Sequence, residues 1–86
     1  MKNFRLEITT PAGVLFSGDA VQLSVRAIDG EMAVMADHVP VSTALTDGEC
    51  RVYLSDGEMR RAKCSGGLLV VSGEKVQLLS STFEFE

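Results

Sequence analysis

Alternation of apolar and polar residues with a period of two is the feature that most constrains this chain. It runs through four segments, whose apolar residues are Phe4, Leu6 and Ile8; Val21, Leu23, Val25 and Ala27; Cys50, Val52 and Leu54; and Val76 and Leu78. Such alternation is typical of a strand with one buried and one exposed face. No window of twelve residues free of both glycine and proline has apolar residues at the helical spacing i, i+3, i+4 and i+7. The sequence therefore predicts an all-β protein with no helix.

Turn-forming residues divide the chain at short intervals. They are Pro11-Ala12-Gly13, Ser17-Gly18-Asp19, Asp29-Gly30, Asp47-Gly48, Asp56-Gly57, Ser65-Gly66-Gly67 and Ser72-Gly73-Glu74. A spacing of about 8–12 residues between turns is typical of a sandwich or barrel of short antiparallel strands. We predict nine or ten strands in one domain that spans residues 1–86, because 86 residues leave no room for a second core.

Composition and charge exclude several classes of protein. The net charge is −4, whereas a general binder of nucleic acid or of an anionic membrane is normally basic. No apolar run approaches the ~20 residues that a membrane-spanning helix needs. The N-terminal residues Met1 to Arg5 include no apolar signal-peptide region. We therefore expect no nucleic-acid partner, no direct membrane insertion and no secretion signal.

The two cysteines, Cys50 and Cys64, lie on either side of a hairpin at Asp56-Gly57. A two-residue turn there would place the two thiols on opposite faces of the hairpin. A three-residue loop with Gly57 in the left-handed region keeps both inward, with Cys50 opposite Ala62 and Cys64 as a diagonal neighbour. A five-residue loop, which would set the cysteines opposite each other, remains open. We expect reduced, inward-facing thiols and no disulfide.

The single histidine, His38, directly follows Asp37 and raises the question of a catalytic triad with Ser42 or Ser65. Neighbouring residues in a strand point to opposite sides, so Asp37 is poorly placed to orient His38. No G-x-S-x-G elbow is present. Two thiols and one histidine also fall short of a four-ligand zinc site. We expect no catalytic residue and no metal site.

Two further motifs resemble cofactor sites but lack the necessary residues. The pair Gly66-Gly67 is not followed by the Lys-Ser/Thr of a phosphate-binding loop, and we interpret it as a bulge or a close crossing of strands. The hairpin motif Glu58-Met59-Arg60 is placed like the modified turn of lipoyl and biotinyl carrier domains. Its arginine cannot form the amide that the carrier lysine forms. No cofactor is expected.

From Phe4 to about Ser81 the chain resembles the N-terminal domain of the epsilon subunit of F-type ATP synthase. The stretches that carry the resemblance are residues 6–11, Leu15-Phe16-Ser17-Gly18, residues 29–45 with a histidine two residues before a proline, Asp47-Gly48, and residues 65–71. Their order and spacing match the family over nearly the whole chain.

Several positions depart from the family pattern. Ala33 stands where glycine is usual, Ala36-Asp37 stand where Pro-Gly often precedes the histidine, and Val70 stands where glutamate is frequent. The sequence also stops at Glu86, whereas family members usually continue into a helical hairpin that carries their inhibitory function. The resemblance therefore implies a subunit without that inhibitory hairpin.

The resemblance implies a flattened antiparallel β-sandwich of about ten short strands and a position on the rotor. In the family this domain joins the gamma subunit to the polar loops of the c-ring and couples proton or sodium transport to ATP synthesis. It carries no catalytic residue. The expected location is the cytoplasmic face of the bacterial plasma membrane, within a peripheral complex.

The resemblance also implies which residues meet the partners. The c-ring contact is expected at Glu31, Asp29 and Gly30 in an acidic turn, where the matching c-ring loop carries an arginine. The gamma contact is expected at His38, Thr43 and Thr10. Two other functions stay open from the residues alone: a free-standing β-sandwich module that binds a small ligand or peptide, and a lipoyl-type carrier domain.

Overall fold

The computed structural model describes residues 2–73 and 75–86, which fold into seven β-strands and no helix. The strands are β1 (Phe4–Thr10), β2 (Gly13–Ala27), β3 (Gly30–Met35), β4 (Val41–Leu54), β5 (Met59–Ser72), β6 (Lys75–Leu79) and β7 (Phe83–Phe85). The prediction of an all-β chain is confirmed. Each segment with a period of two became a strand, because its apolar residues bury on one face.

The strands form one sheet that closes on itself. Pairing runs in the order β1, β6, β5, β4, β2 and back to β1, while β3 extends the sheet beyond β2 and β7 pairs with β5. All pairs are antiparallel except β1 with β6, which run parallel. Closure leaves few strand edges open, since every strand of the ring has a neighbour on both sides.

Two long strands change partner along their length, and the pairing of a third is interrupted. On one edge, β2 pairs with β1 over residues 13–20 and then with β3 over residues 22–27. In the same way β5 pairs with β7 over residues 62–64 and with β6 over residues 68–72. Along β4 the pairing with β2 is interrupted between Leu45 and Arg51. The described residues thus form seven strands, fewer than the nine or ten that the sequence predicted, because glycines expected to separate strands lie inside β2, β4 and β5.

The prediction of turns at Gly18, Gly48 and Gly66-Gly67 is wrong, and for Gly66-Gly67 the alternative interpretation, a bulge or close crossing of strands, applies instead. All of them lie inside long strands, where backbone pairing continues through them. A glycine within a strand often marks a bend or a close approach of another chain segment. At Gly48 the neighbour is the aliphatic part of Arg26, 3.1 Å from where a Cβ would stand.

Gly67 lies at the tightest crossing in the fold. Its φ is +132°, and an added Cβ would stand 2.0 Å from the carbonyl oxygen of Leu79. Only glycine combines this backbone conformation with so short a distance to another strand. The interpretation of Gly66-Gly67 as a close crossing of strands is therefore confirmed.

The core contains the residues that the alternation selected. Phe4, Leu6, Ile8, Leu23, Val25, Val52, Val76 and Leu78 are all buried. The β4–β5 hairpin has the three-residue loop that keeps this pattern inward, with Cys50 opposite Ala62 and Gly57 at φ +93°. Burial of a whole face thus outweighed the preference of Asp-Gly for a two-residue turn.

Candidate functional site

The turn between β2 and β3 projects the acidic residues singled out in the sequence. Ala27 pairs with Gly30, so Ile28 and Asp29 form a two-residue turn, and Gly30 has a φ of +120°. The backbone N–H of Ile28 donates to the Ala44 carbonyl at 3.1 Å, which anchors the turn to β4. All four residues from Ile28 to Glu31 are exposed, Ile28 by 62%. We call them the turn tip: one apolar side chain beside two carboxylates on a fixed backbone.

Glu31 belongs to a surface patch of mixed charge. Its cross-strand partner is Arg26, and a small cavity of about 90 Å³ is lined by both together with Glu49 and Arg51. The Arg51 Nε donates to Glu49 Oε1 at 2.8 Å. This charged patch of Arg26, Glu31, Glu49 and Arg51 holds two cations and two anions. Such a surface adds little to fold stability, but it can set the orientation of a charged partner.

The turn before His38 contains a residue with left-handed backbone conformation that is not glycine. Asp37 has a φ of +68°, and among residues 2–73 and 75–86 no other non-glycine residue has a positive φ. Asparagine and aspartate enter this region more readily than other side-chain-bearing residues. The Lys2 ammonium donates to the Asp37 carboxylate at 2.9 Å, and both side chains are largely exposed. Asp37 therefore adopts the left-handed conformation that glycine takes most readily.

Within residues 2–73 and 75–86, the hydrogen bonds of His38 are local. Its backbone N–H donates to the Met35 carbonyl at 3.2 Å, and its Nδ1 lies 2.7 Å from the Val39 carbonyl oxygen. Because a carbonyl only accepts, Nδ1 carries the proton in this contact. Asp37 is directed to Lys2 instead. The arrangement expected of a catalytic triad is thus not formed by these two residues.

Thr10 and Thr43 lie at different points of the fold. Thr10 ends β1, and its hydroxyl accepts a hydrogen bond from the Ala12 N–H at 3.3 Å. Thr43 lies in β4 opposite Leu69 and is half-buried. His38 lies beside the Lys2–Asp37 ion pair, near the other end of β1. The two ends of β1 are separated by about 20 Å at the usual strand rise, so a single small contact cannot include both Thr10 and His38.

An exposed apolar surface crosses five strands and was not recognised in the sequence. Its cross-strand partners, in order, are Ala44, Leu68, Leu79, Thr9 and Val14. Leu68 and Leu79 are each 40% exposed, whereas the adjacent Leu69 and Leu78 are fully buried. We call this the outer apolar row; a groove of about 410 Å³ runs beside it and includes Thr10. The available signal was the run Leu68-Leu69, since one of two successive strand residues must face outward.

The outer apolar row meets the turn tip. Ala44, at one end of the row, accepts the backbone hydrogen bond of Ile28, whose side chain is exposed. Thr10 adjoins the opposite end, next to Thr9 and Val14. The turn tip and Thr10 are therefore joined by one continuous, largely apolar surface.

Residues considered for chemistry have other contacts. The Arg60 guanidinium, which replaces the carrier lysine, lies 4.1 Å above the centre of the Phe85 ring. The Ser65 hydroxyl contacts those of Thr82 and Ser81. Within the described part of the chain, no three His, Cys, Asp or Glu side chains are placed to hold a metal ion. No helix in the same part is long and apolar enough to span a membrane.

The chain belongs to a known structural class. The sequence model of the family described as "ATP synthase, Delta/Epsilon chain, beta-sandwich domain" matches residues 3–86. This chain is therefore a member of the delta/epsilon β-sandwich family of ATP synthase, as the sequence motifs indicated.

The similar curated proteins are ATP synthase epsilon chains. The one from Sulfurihydrogenibium sp. is 36% identical over 84 residues, which are 96% of this chain and 63% of the relative. The epsilon chain of Chlorobium limicola is 37% identical over 79 residues, 92% of this chain and 90% of the relative. A sodium-ion-specific epsilon chain of Propionigenium modestum is 39% identical over 80 residues, 93% and 58% respectively. The chain spans about 60% of the length of most of these relatives.

Solved structures share the fold. A chain of the mitochondrial ATP synthase of Euglena gracilis superposes with a TM-score of 0.92 at 21% identity, covering 96% of this chain and 53% of that one. A chain from the Tetrahymena thermophila mitochondrial ATP synthase central stalk and c-ring gives 0.81 at 10% identity, covering 95% and 66%. At such identities the likeness concerns the fold.

Proposed function

We propose that this chain is a non-catalytic subunit of the ATP synthase central stalk, which joins gamma to the c-ring and helps to couple ion transport to ATP synthesis. The observation that carries the proposal is the family match over residues 3–86, together with relatives that are all epsilon chains. We place residues 1–86 in a single domain and the complex on the cytoplasmic face of a bacterial plasma membrane. Relatives with and without the sodium designation have similar sequence identity to this chain, so the proposal includes either proton or sodium as the coupling ion.

The turn tip supports the c-ring contact. Asp29, Gly30 and Glu31 are exposed, and their backbone is fixed by the Ile28–Ala44 hydrogen bond. Little conformational entropy is therefore lost when a partner binds. The two carboxylates suit a basic group on a polar loop. A carboxylate–arginine contact at an interface rim mainly sets register and association rate, and its energy is modest. Ile28 adds apolar area next to that contact.

The outer apolar row supports the gamma contact. Leu68 and Leu79 are partly exposed, and covering what remains of each contributes roughly 0.5–1 kcal/mol, at the usual value for buried apolar area. Thr10 adjoins this row, whereas Thr43, opposite the buried Leu69, lies on the other face of β4 and would meet gamma separately from the row. His38 is more distant and would meet a separate part of a long partner. Gamma would then cover the row while the turn tip meets the ring.

The fold suits a mechanical task. A closed ring of strands has nearly continuous backbone hydrogen bonding, which leaves few internal hinges. Torque applied between the turn tip and the outer apolar row would pass through paired strands instead of flexible loops. A domain of this kind needs surfaces for partners, not a pocket for a substrate.

A co-purification experiment tests the proposal. The chain, tagged at its C-terminus, is expressed with gamma and c subunits of the same host and recovered from detergent-solubilised membranes. We expect gamma and the c-ring to co-purify in fixed proportion. Recovery of the folded chain without either partner would contradict the proposal. A folded variant with Leu68→Asp is the internal control, because it should lose gamma while circular dichroism remains that of the wild type.

A further inference from the structure

Two buried thiols that the stalk function does not use lie next to each other in the core. Cys50 in β4 is 2% exposed and Cys64 in β5 is 5% exposed, and both are free. The register pairs Cys50 with Ala62 and Gly48 with Cys64. The cysteines are therefore diagonal neighbours on the same inward face of adjacent strands.

Cys64 lies where its chain bends. Its sulfur is 3.2 Å from the Gly66 carbonyl oxygen and 3.4 Å from the Ser80 hydroxyl, and one thiol proton can serve only one of them at a time. Cys64 also lines a groove of about 550 Å³ that opens to solvent. The charged residues that line this groove are Asp47, Glu49, Lys63, Glu84 and Glu86. Cys64, although only 5% exposed, thus borders this groove, whereas Cys50 is not among the residues that line it.

The two thiols differ in acidity. Hydrogen bonding from Cys50 lowers the pKa of Cys64, although burial acts in the opposite direction. The same contact with Cys64, together with burial, raises the pKa of Cys50. Cys64 is therefore the thiol that ionises first. The thiolate is the attacking species in thiol–disulfide exchange.

We propose that Cys50 and Cys64 form a redox-responsive pair, in which a small-molecule disulfide converts the two thiols into a reversible cross-strand disulfide. This goes beyond the coupling role and does not depend on it. The Cys64 thiolate attacks one sulfur of the small disulfide, whose S–S bond breaks and releases one small thiolate. The Cys50 sulfur then attacks the Cys64 sulfur, the mixed disulfide bond breaks, and the Cys50 proton passes to the departing small thiolate, which leaves as a thiol. Two cysteine thiols are oxidised and one small disulfide is reduced to two thiols.

Geometry makes this disulfide labile. Diagonal neighbours lie about 7–8 Å apart, whereas bridged cysteines have Cα atoms at about 4.4–6.8 Å. Bridging them therefore requires a shift of β5 along β4, because the offset of two residues makes up most of the diagonal distance. Such a shift meets least resistance on the other side of β4, where β2 makes no regular pairs between Ser24 and Ala27. Strained disulfides are the readily reduced ones, so the resting state is the dithiol.

The test uses the folded wild-type chain and oxidised glutathione as the small disulfide. After native incubation, unreacted thiols are blocked and the monomer is weighed by mass spectrometry. We expect loss of both free thiols, a mass decrease of about 2 Da relative to the dithiol, and full recovery of the thiols with dithiothreitol. Two thiols that persist under native conditions, or a stable glutathione adduct on the wild type, would overturn the proposal.

Single variants test the order of events. Cys50→Ala should retain a glutathione adduct on Cys64, because no second thiol is present to displace it. Cys64→Ala should not react, because Cys50 has no access to the groove. Equal reactivity of the two variants, each verified as folded by circular dichroism, would contradict the assignment of Cys64 as the attacking thiol. The wild-type result stands without them if either variant fails to fold.

Discussion

The crossing at Gly67 and the turn tip at Ile28–Glu31 show how this small domain separates folding from binding. At Gly67 the backbone of β5 meets the Leu79 carbonyl so closely that a Cβ would stand 2.0 Å from its oxygen. At the turn tip, Gly30 also has a positive φ, yet no atom lies within 4 Å of an added Cβ. Gly67 is required because a side chain would collide with a neighbouring strand, whereas Gly30 is required only by the backbone conformation of its turn. Stability therefore depends on the crossing, while the tip is free to serve a partner.

The largest expected effect is at the crossing. Gly67→Ala combines a positive φ with a collision against the backbone, so we expect a loss of more than about 3 kcal/mol in the free energy of unfolding. Urea denaturation followed by circular dichroism measures it. Gly73→Ala is the matched control, since its φ is +59° and nothing lies within 4 Å. Equal losses in the two variants would show that conformation, not the crossing, determines the cost.

A neighbouring pair in β5 sharpens the comparison between core and surface. Leu69→Ala removes a fully buried side chain and should cost about 2–5 kcal/mol. Leu68→Ala alters the outer apolar row and should cost less than about 1 kcal/mol. Binding to gamma, measured on the folded variants, should weaken for Leu68→Ala. If Leu68→Ala destabilised the fold as much as Leu69→Ala, the row would be part of the core.

A smaller effect is expected at the Asp37 turn. With a φ of +68°, alanine there should be less stable than glycine by about 1 kcal/mol. Asp37→Gly should stay within about 0.5 kcal/mol of the wild type, because relief of the backbone offsets the exposed ion pair with Lys2. Thermal unfolding of both variants provides the measurement. Equal stability of the alanine and glycine variants would refute the account of this turn.

Much of the fold could be predicted because burial enforces it. The three-residue loop at Gly57 follows from keeping Cys50 and Ala62 on one face, and local turn preference could not override it. The bends at Gly18 and Gly48 could not be told from turns, since a glycine in a strand signals either. Only pairing with distant strands decides between them, and that pairing is not visible in a local sequence window.

The candidate site was only partly accessible from the sequence. The acidic turn at Asp29–Glu31 was recognised from family motifs, and the structure shows it exposed. The outer apolar row was missed, because Leu68 and Leu69 look alike in the sequence while one is 40% exposed and the other fully buried. The contacts with gamma and the c-ring themselves stay predictions, since they depend on surfaces of other chains.

The central claim is that the turn tip meets a basic loop of the c-ring, and a charge exchange at Glu31 tests it most directly. Glu31→Arg should keep the free energy of unfolding within about 0.5 kcal/mol, as expected of an exposed side chain. The measurement is the affinity of the chain–gamma complex for purified c-ring, with Glu58→Arg, an exposed acid in the β4–β5 hairpin, as the control.

We predict that Glu31→Arg lowers this affinity about tenfold, equivalent to about 1.4 kcal/mol. Replacing the partner loop arginine by glutamate should restore it, and Glu58→Arg should leave it unchanged. An unaltered affinity for Glu31→Arg, or a collapse of its melting temperature, would contradict the assignment of this turn as the ring contact.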